Sequence, residues 1–96
     1  SDAPARLQYL CDTPGTTYFF RVTGVSEGSA WGTDVYTGDS SLAVAAVHAG
    51  AVKPGETAVV RVTVAPPLNH YQGSTRNGAT SHDYGRYGTA YRVGRV

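Results

Sequence analysis

The sequence contains no methionine and only one cysteine, Cys11. A lone cysteine cannot form an intrachain disulfide, so the core must be held by packing alone. Two domains within 96 residues would each be too small to hold a core without disulfides or a metal, so we expect one domain. Because Ser1 is not a methionine, we expect that it is not the translational start, and either a removed leader or trimming would explain this.

Charge is also scarce, at 16% of residues, with eight basic and seven acidic side chains. This near balance gives no general electrostatic basis for binding nucleic acid. Arg86, Arg92 and Arg95 follow the last acidic residue, Asp83, so the C-terminal end is locally basic. They are either solvated arginines on edge strands or a site for phosphate or anionic lipid. No run of about 18 apolar residues is present, so we expect no membrane span.

The first sixteen residues differ in pattern from the rest. Pro4 and Pro14 bracket a stretch in which Ala5, Leu7 and Tyr9 recur at a spacing of two. This alternation predicts an extended arm with strand character over residues 1–16, followed by a domain over residues 17–96. The arm either packs on its own domain or adds a strand to a neighbouring molecule. Its candidate assembly residues are Leu7, Tyr9 and Cys11.

The remainder predicts one helix among several strands. β-Branched and aromatic residues predict strands at 16–24 and 33–37, and alternation predicts others at 57–64 and 87–96. Residues 42–49 favour a helix that follows the capping residues Asp39, Ser40 and Ser41 and ends at Gly50. The helix is apolar on every side except near His48, so we expect it to be buried. The glycines between Tyr71 and Tyr87 predict loops and tight turns, and the fold class is α+β.

Several motifs resemble the LCCL domain family. Trp31-Gly-Thr-Asp-Val-Tyr36-Thr is followed by Asp39-Ser-Ser and Ala45-Ala-Val-His-Ala-Gly50. The order Tyr71-x-Gly-Ser74, Asn77-Gly78, Ser81 and Tyr84-Gly85 continues the likeness, which covers about residues 17 to 96. The resemblance implies a compact fold in which a central helix is wrapped by short antiparallel strands. Its structural motif residues are Trp31, Tyr36, Asp39, Ser40, His48 and Gly50.

The resemblance also implies a secreted, extracellular or cell-surface protein with a binding role and no catalysis. Lipopolysaccharide and other microbial-surface or carbohydrate-like ligands are proposed for some animal members. Animal members usually carry four cysteines, one of them on the central helix where this chain has Ala43, and Cys11 lies outside the matching region. We therefore expect a bacterial-type member, and the extracellular setting favours a removed leader.

The glycine-rich loop between Gly73 and Gly88 is the predicted binding region, since binding residues concentrate on loops held by a rigid scaffold. The candidate ligand-binding residues are Tyr71, Ser74, Arg76, Asn77, Tyr84 and Arg86. Aromatic side chains there either stack on sugar rings or belong to the core. The histidines His48, His70 and His82 have no metal-ligand spacing, so we expect no metal and no cofactor.

Two functions follow from these observations. The first is a module that binds a surface glycan or an anionic lipid-linked glycan. The alternative is a structural subunit of an extracellular filament or surface assembly, in which the arm adds a strand to the next copy. In that case Cys11 would suit an intermolecular bridge, and the alternative for this cysteine is a buried free thiol.

Overall fold

The strands form one five-stranded antiparallel sheet and one small hairpin. A computed structural model describes residues 1–96. In chain order the strands are β1 (Thr17–Thr23), β2 (Gly32–Thr33), β3 (Val35–Thr37), β4 (Thr57–Ala65), β5 (Thr75–Arg76), β6 (Ala79–Thr80) and β7 (Ala90–Arg95). The sheet order is β1-β4-β7-β3-β2, and β5 pairs with β6 in the hairpin. The predicted α+β class is confirmed.

A single helix, α1 (Leu42–His48), lies against β1 and β7 on one side and against the β5–β6 hairpin on the other. Six of its seven residues are buried. The small side chains of Ala45 and Ala46 let the surrounding strands approach closely, which close packing requires. The helix begins after Ser41, whose hydroxyl accepts a hydrogen bond from the Val44 amide at 3.4 Å. Gly50 follows the helix with a φ of +82°, the left-handed conformation typical of a helix end.

The capping prediction was wrong for two of its three residues. Ser41 is the N-cap, whereas the Ser40 hydroxyl accepts a hydrogen bond from the Trp31 amide at 3.0 Å. Asp39 contributes no side-chain cap to the helix. Three adjacent residues with capping side chains look alike in sequence, and only the angle at which the chain enters the helix selects one of them.

The core lies between the helix and the inner face of the sheet. Val60, Val62 and Val64 point inward from β4 and are at most 2% exposed. Tyr36 and Tyr91, opposite each other on β3 and β7, are fully buried beside them. Complete burial of each such apolar side chain contributes about 1.5–3 kcal/mol to stability.

Residues 1–16 pack on their own domain. Leu7 and Cys11 are 1% and 4% exposed and belong to the core. Gln8–Leu10 form a short 3-10 helix, so the prediction of strand character was wrong here. In a strand Leu7, Tyr9 and Cys11 would lie on one face, but Tyr9 is 85% exposed while the other two are buried. The division of the chain at residue 17 stays a prediction, and the burial of Leu7 speaks against a separable arm.

Candidate ligand-binding surface

The structure separates the six predicted binding residues into core and surface groups. Tyr71 is 1% exposed, and its hydroxyl accepts from the Leu68 amide at 3.0 Å and donates to the Tyr87 carbonyl at 2.9 Å. Both hydroxyl functions are used within the protein, and burial raises the pKa of Tyr71. Tyr71 therefore supports the loop from inside and does not form part of the surface.

Asn77 also supports the fold. It begins the two-residue turn of the β5–β6 hairpin, with φ values of +53° at Asn77 and +80° at Gly78, as a type I′ turn requires. Its side-chain amide donates to the His48 carbonyl at the end of α1, at 2.9 Å. This bond satisfies one of the carbonyl groups that a helix end leaves unpaired.

The hairpin is joined to the helix by a buried hydrogen-bond network around His48. The Tyr36 hydroxyl lies 2.8 Å from His48 Nδ1. His48 Nε2 lies 3.0 Å from the Ser74 carbonyl, 3.1 Å from Ser74 Oγ and 3.3 Å from Ser81 Oγ. We call His48, Tyr36, Ser74 and Ser81 the His48 network. His48 is fully buried, so these contacts replace all of its hydration.

The geometry of this network fixes the imidazole tautomer. A carbonyl oxygen can only accept, so Nε2 carries the proton and donates toward Ser74. Nδ1 then accepts from the Tyr36 hydroxyl, which stays protonated because burial raises the pKa of Tyr36 to about 12. A nucleophilic serine needs a base with a free lone pair, and Nε2 offers none to Ser74. The network is therefore arranged to hold the hairpin rather than to activate a serine.

A polar depression of about 320 Å³ opens beside Ser74. It is lined by Thr33, Gln72, Gly73, Ser74 and Arg76. The Arg76 guanidinium forms an ion pair with Asp34, the residue between β2 and β3, at 2.9 Å between Nη1 and Oδ1. This ion pair leaves the depression with no free positive charge from Arg76, so it is poorly suited to an anion.

Aromatic rings form a continuous surface on the other side of the predicted loop. The rings of Trp31 and Tyr84 are in edge contact at 6.2 Å between centroids, and those of Tyr84 and Tyr87 at 5.9 Å. Tyr84 is 46% exposed. We call these three residues the aromatic ladder. Arg86 directly precedes Tyr87 in the chain, and its Nε donates to the Asn69 side-chain oxygen at 3.2 Å.

The ladder leads into a groove of about 310 Å³ between Tyr87 and Tyr9. Gln8, Gly88 and Thr89 complete its lining, and Tyr9 is 85% exposed. We call it the Tyr9–Tyr87 groove. It joins the N-terminal segment to the start of β7, two regions that lie almost 80 positions apart in the chain.

Three buried oxygen atoms behind this groove have no hydrogen-bond partner: Gln8 Oε1, Asp39 Oδ1 and Thr89 Oγ1. Their residues adjoin Gly38, where any side chain would collide with the Thr89 hydroxyl and approach Gln8. We call these residues the Gly38 cluster. Burial raises the pKa of Tyr87, and the negative charge of Asp39 adds to this effect. Buried polar atoms are almost always paired, so three unpaired ones beside Gly38 lower the stability of the fold at this point.

Tyr84, a candidate ligand-binding residue, lies at the surface, but the sequence does not indicate that Gln8, Tyr9 and Thr89 line one groove. Leu7, Tyr9 and Cys11 are the candidate assembly residues. The structure leaves only Tyr9 of these three accessible. No local signal in the sequence joins Gln8 to Thr89, since their proximity depends on the close passage of both segments beside Gly38.

The largest surface depression, about 470 Å³, lies between residues 2–5 and the start of α1. It contains no aromatic side chain, and its charged residues Asp2 and Arg21 pair with each other at 3.1 Å. Size alone therefore does not make it the better saccharide site. No group of three or more His, Cys, Asp or Glu side chains is placed to hold a metal ion.

Comparison with known proteins identifies the family. The pattern of the LCCL domain matches residues 6–90. The chain belongs to the LCCL domain family. The match begins at residue 6 rather than 17, so Cys11 lies inside it and the prediction that this cysteine is outside was wrong. LCCL domains are a type of carbohydrate- or lipid-binding module and are generally non-catalytic.

One relative is the transcriptional regulatory protein rxt3 of Schizosaccharomyces pombe. It is 43% identical to this LCCL domain over 58 residues, which are 56% of this chain. The matched part is only 16% of the yeast protein, so the likeness concerns the domain and not the whole protein. No helix is long and apolar enough to cross a membrane.

Proposed function

We propose that this LCCL domain is a non-catalytic module that binds a surface glycan in the Tyr9–Tyr87 groove and along the aromatic ladder. The observation that carries the proposal is the pair of exposed rings, Tyr9 at 85% and Tyr84 at 46%, beside the groove that Tyr9 and Tyr87 line. Sugar hydroxyls donate and accept hydrogen bonds, and the apolar faces of sugar rings stack on aromatic side chains. The groove volume of about 310 Å³ is at the lower end for small-ligand sites and suits a short segment of a chain.

The spacing of the rings supports an extended ligand rather than a single sugar. Trp31, Tyr84 and Tyr87 follow one another at ring spacings of about 6 Å. A chain that enters the groove at Tyr9 therefore continues along Tyr84 toward Trp31. Tyr84, predicted from sequence to bind, belongs to this proposed site, whereas Ser74 and Arg76 lie at the separate polar depression.

An array of neutral and charged oligosaccharides tests the proposal, with titration of any hit by calorimetry. Tyr9→Ala and Tyr84→Ala should each weaken binding roughly tenfold, which corresponds to about 1.4 kcal/mol. Val25→Ala is the control, because Val25 is an apolar residue with 43% exposure that lines neither the groove nor the aromatic ladder. Equal losses for all three variants, or no binding by the wild type, would contradict the proposed site.

We also propose a secreted or cell-surface location and a bacterial source. Both come from the resemblance to the LCCL family and not from the geometry of the groove. The printed name of the yeast relative describes transcriptional regulation, and the shared segment is too small a part of that protein to carry its activity over. Detection of this protein on intact cells by a surface-labelling reagent would support the extracellular location.

The alternative of a strand-donating filament subunit has less support. The arm would have to release Leu7 and Cys11 from the core and break the bond from the Leu7 amide to the Gly38 carbonyl at 3.2 Å. The outer edge of β1 is also occupied in part, since the Arg21 amide donates to the Ser1 carbonyl at 2.8 Å. Light scattering of the intact protein that shows concentration-dependent polymers would favour this alternative over the glycan module.

A further inference from the structure

The outer face of the sheet, turned away from α1, carries a row of arginines. Inward residues of β4 such as Val60 and Val62 are buried, whereas Val59 and Arg61, which alternate with them along the strand, are exposed. Directly opposite residues of neighbouring strands share a face. Phe19 lies opposite Arg61, and Thr63 lies opposite Arg92, so these side chains stand on the same outer face.

Three arginines cross this face diagonally. Arg21 of β1 lies opposite Val59, two residues before Arg61 of β4. Arg92 of β7 lies opposite Thr63, two residues after Arg61. Diagonal neighbours in antiparallel strands are about 7–8 Å apart, within reach of long side chains. We call Arg21, Arg61 and Arg92 the arginine diagonal.

The charge of this row is compensated at one end only. Arg21 is paired with Asp2 at 3.1 Å, an ion pair whose side chains are both exposed. Neither Arg61 nor Arg92 forms a salt bridge. Gly94 lies opposite Arg61 and has open space above it, so no side chain covers the middle of the row. Like charges on a surface are kept at some cost, and they attract a ligand of opposite sign.

We propose that the outer sheet face is a second binding surface, and that its ligand is an extended anionic polysaccharide whose carboxylate or sulfate groups contact the arginine diagonal. Threonines stand among the arginines, at Thr17 and Thr63 on one side and Thr23 and Thr57 on the other. Their hydroxyls donate hydrogen bonds to anionic oxygens and to sugar hydroxyls. This surface goes beyond the proposed glycan groove, because it lies on another face and selects for negative charge.

A polysaccharide fits this surface better than a single-stranded nucleic acid does. Binding of single strands relies on several exposed aromatic rings on which bases stack. The outer face has one strongly exposed aromatic residue, Phe19, and the Arg61 guanidinium already lies over its ring at 5.6 Å from the centroid. The small net charge of +1 also gives no general attraction for nucleic acid.

The test is calorimetric titration at about 0.1 M salt with three probes: an oligogalacturonate, a neutral cello-oligosaccharide and an oligothymidylate of the same charge as the oligogalacturonate. The protein variants are Arg61→Glu with Arg92→Glu, and the matched control Arg6→Glu with Lys53→Glu, which makes the same change in net charge at two exposed residues outside the arginine diagonal. We expect the wild type to bind the oligogalacturonate and the diagonal variant to lose at least about tenfold in affinity. We expect the control variant to lose less than about threefold, because distant charges are screened beyond about 10 Å at 0.1 M salt.

Three results would overturn the inference: no binding of the oligogalacturonate by the wild type, equal losses in the two variants, or tighter binding of the oligothymidylate. Thermal unfolding of each variant provides a check on folding, and all four substituted residues are exposed. Failure here is distinguishable from failure of the proposed groove. Tyr9→Ala should affect the neutral probe alone, and the diagonal variant should affect the anionic probe alone.

Discussion

Two polar clusters in this small domain differ in how completely their hydrogen bonds are formed. In the His48 network, both ring nitrogens of a fully buried histidine have partners, and Ser74 and Ser81 bond to each other as well. In the Gly38 cluster, three buried oxygens have none. A satisfied polar network rigidifies the fold, whereas buried polar groups without partners lower its stability. The two clusters therefore differ in what they contribute to the stability of the domain.

The largest effect should come from His48→Phe. The planar ring is kept at a larger volume, and the Tyr36 hydroxyl loses its acceptor inside the core, whereas the Ser74 carbonyl still accepts from the Ser81 amide at 2.8 Å. A buried group left unpaired costs about 1–3 kcal/mol, so we expect a loss of about that size in the free energy of unfolding. Urea denaturation followed by circular dichroism measures it. A loss below 1 kcal/mol would mean that the network contributes little.

A matched pair of hydroxyl deletions compares the two clusters directly. Ser81→Ala removes the acceptor of the Ser74 amide, at 3.0 Å, and should cost about 1–2 kcal/mol. Thr89→Val removes a buried hydroxyl without a partner, so its stability should stay within about 0.5 kcal/mol or rise. The same denaturation experiment serves both variants. If Thr89→Val cost as much stability as Ser81→Ala, the Thr89 hydroxyl would have to be hydrogen-bonded, and the stated difference between the two clusters would be wrong.

The Gly38 cluster depends on the N-terminal segment staying docked, and Cys11 reports on this. Burial, with a smaller contribution from the charge of Asp12, raises the pKa of the Cys11 thiol from 9.0 to about 11. The folded state therefore favours the neutral thiol, and this contribution to stability is complete below pH 9 and is lost as the pH rises from 9 to about 11. We expect the thiol to react with an aromatic disulfide reagent at least about 100-fold more slowly than in urea.

The control for this measurement is the pH dependence of the variant Cys11→Ala. Its stability should fall less steeply between pH 9 and 11 than that of the wild type, since only the tyrosines then contribute. Rapid labelling of Cys11 in the native protein at neutral pH would indicate that the arm opens, which would favour the strand-donating alternative.

The smallest effect should come from a charged pair outside both clusters. The pKa of Glu56 is lowered from 4.5, first by the Lys53 amide, which donates to its carboxylate at 2.8 Å, and then by Arg95. A lowered pKa means stability that is present above about pH 4.5 and lost as the pH falls through the folded pKa. Arg95→Gln should move the pKa of Glu56 part of the way back to 4.5. A titration followed by NMR would contradict this if the pKa were unchanged.

Local pattern determined much of the fold. Alternation and β-branched residues predicted β1, β4 and β7 to within a few residues, and capping residues together with Gly50 predicted α1. The Asn77-Gly78 turn also fits the tight turns predicted for this stretch, because both central residues of a type I′ turn need a positive φ, which asparagine and glycine adopt most readily. These predictions succeed because each depends on interactions among residues close in sequence.

Tertiary structure decided the rest. Tyr71 and Tyr84 are the same residue type in the same glycine-rich loop, and yet one is buried and the other is half exposed. The alternation at Ala5, Leu7 and Tyr9 predicted a strand, but the chain forms a 3-10 turn at Gln8–Leu10, with Leu7 and Cys11 buried in the core on either side of it. Gln8, Asp39 and Thr89 meet only because three distant segments pass beside Gly38. The sequence by itself determined most of the helix and strand positions. The packing of these elements decided which polar groups were left without partners, because burial and pairing depend on contacts between segments that are far apart in the chain.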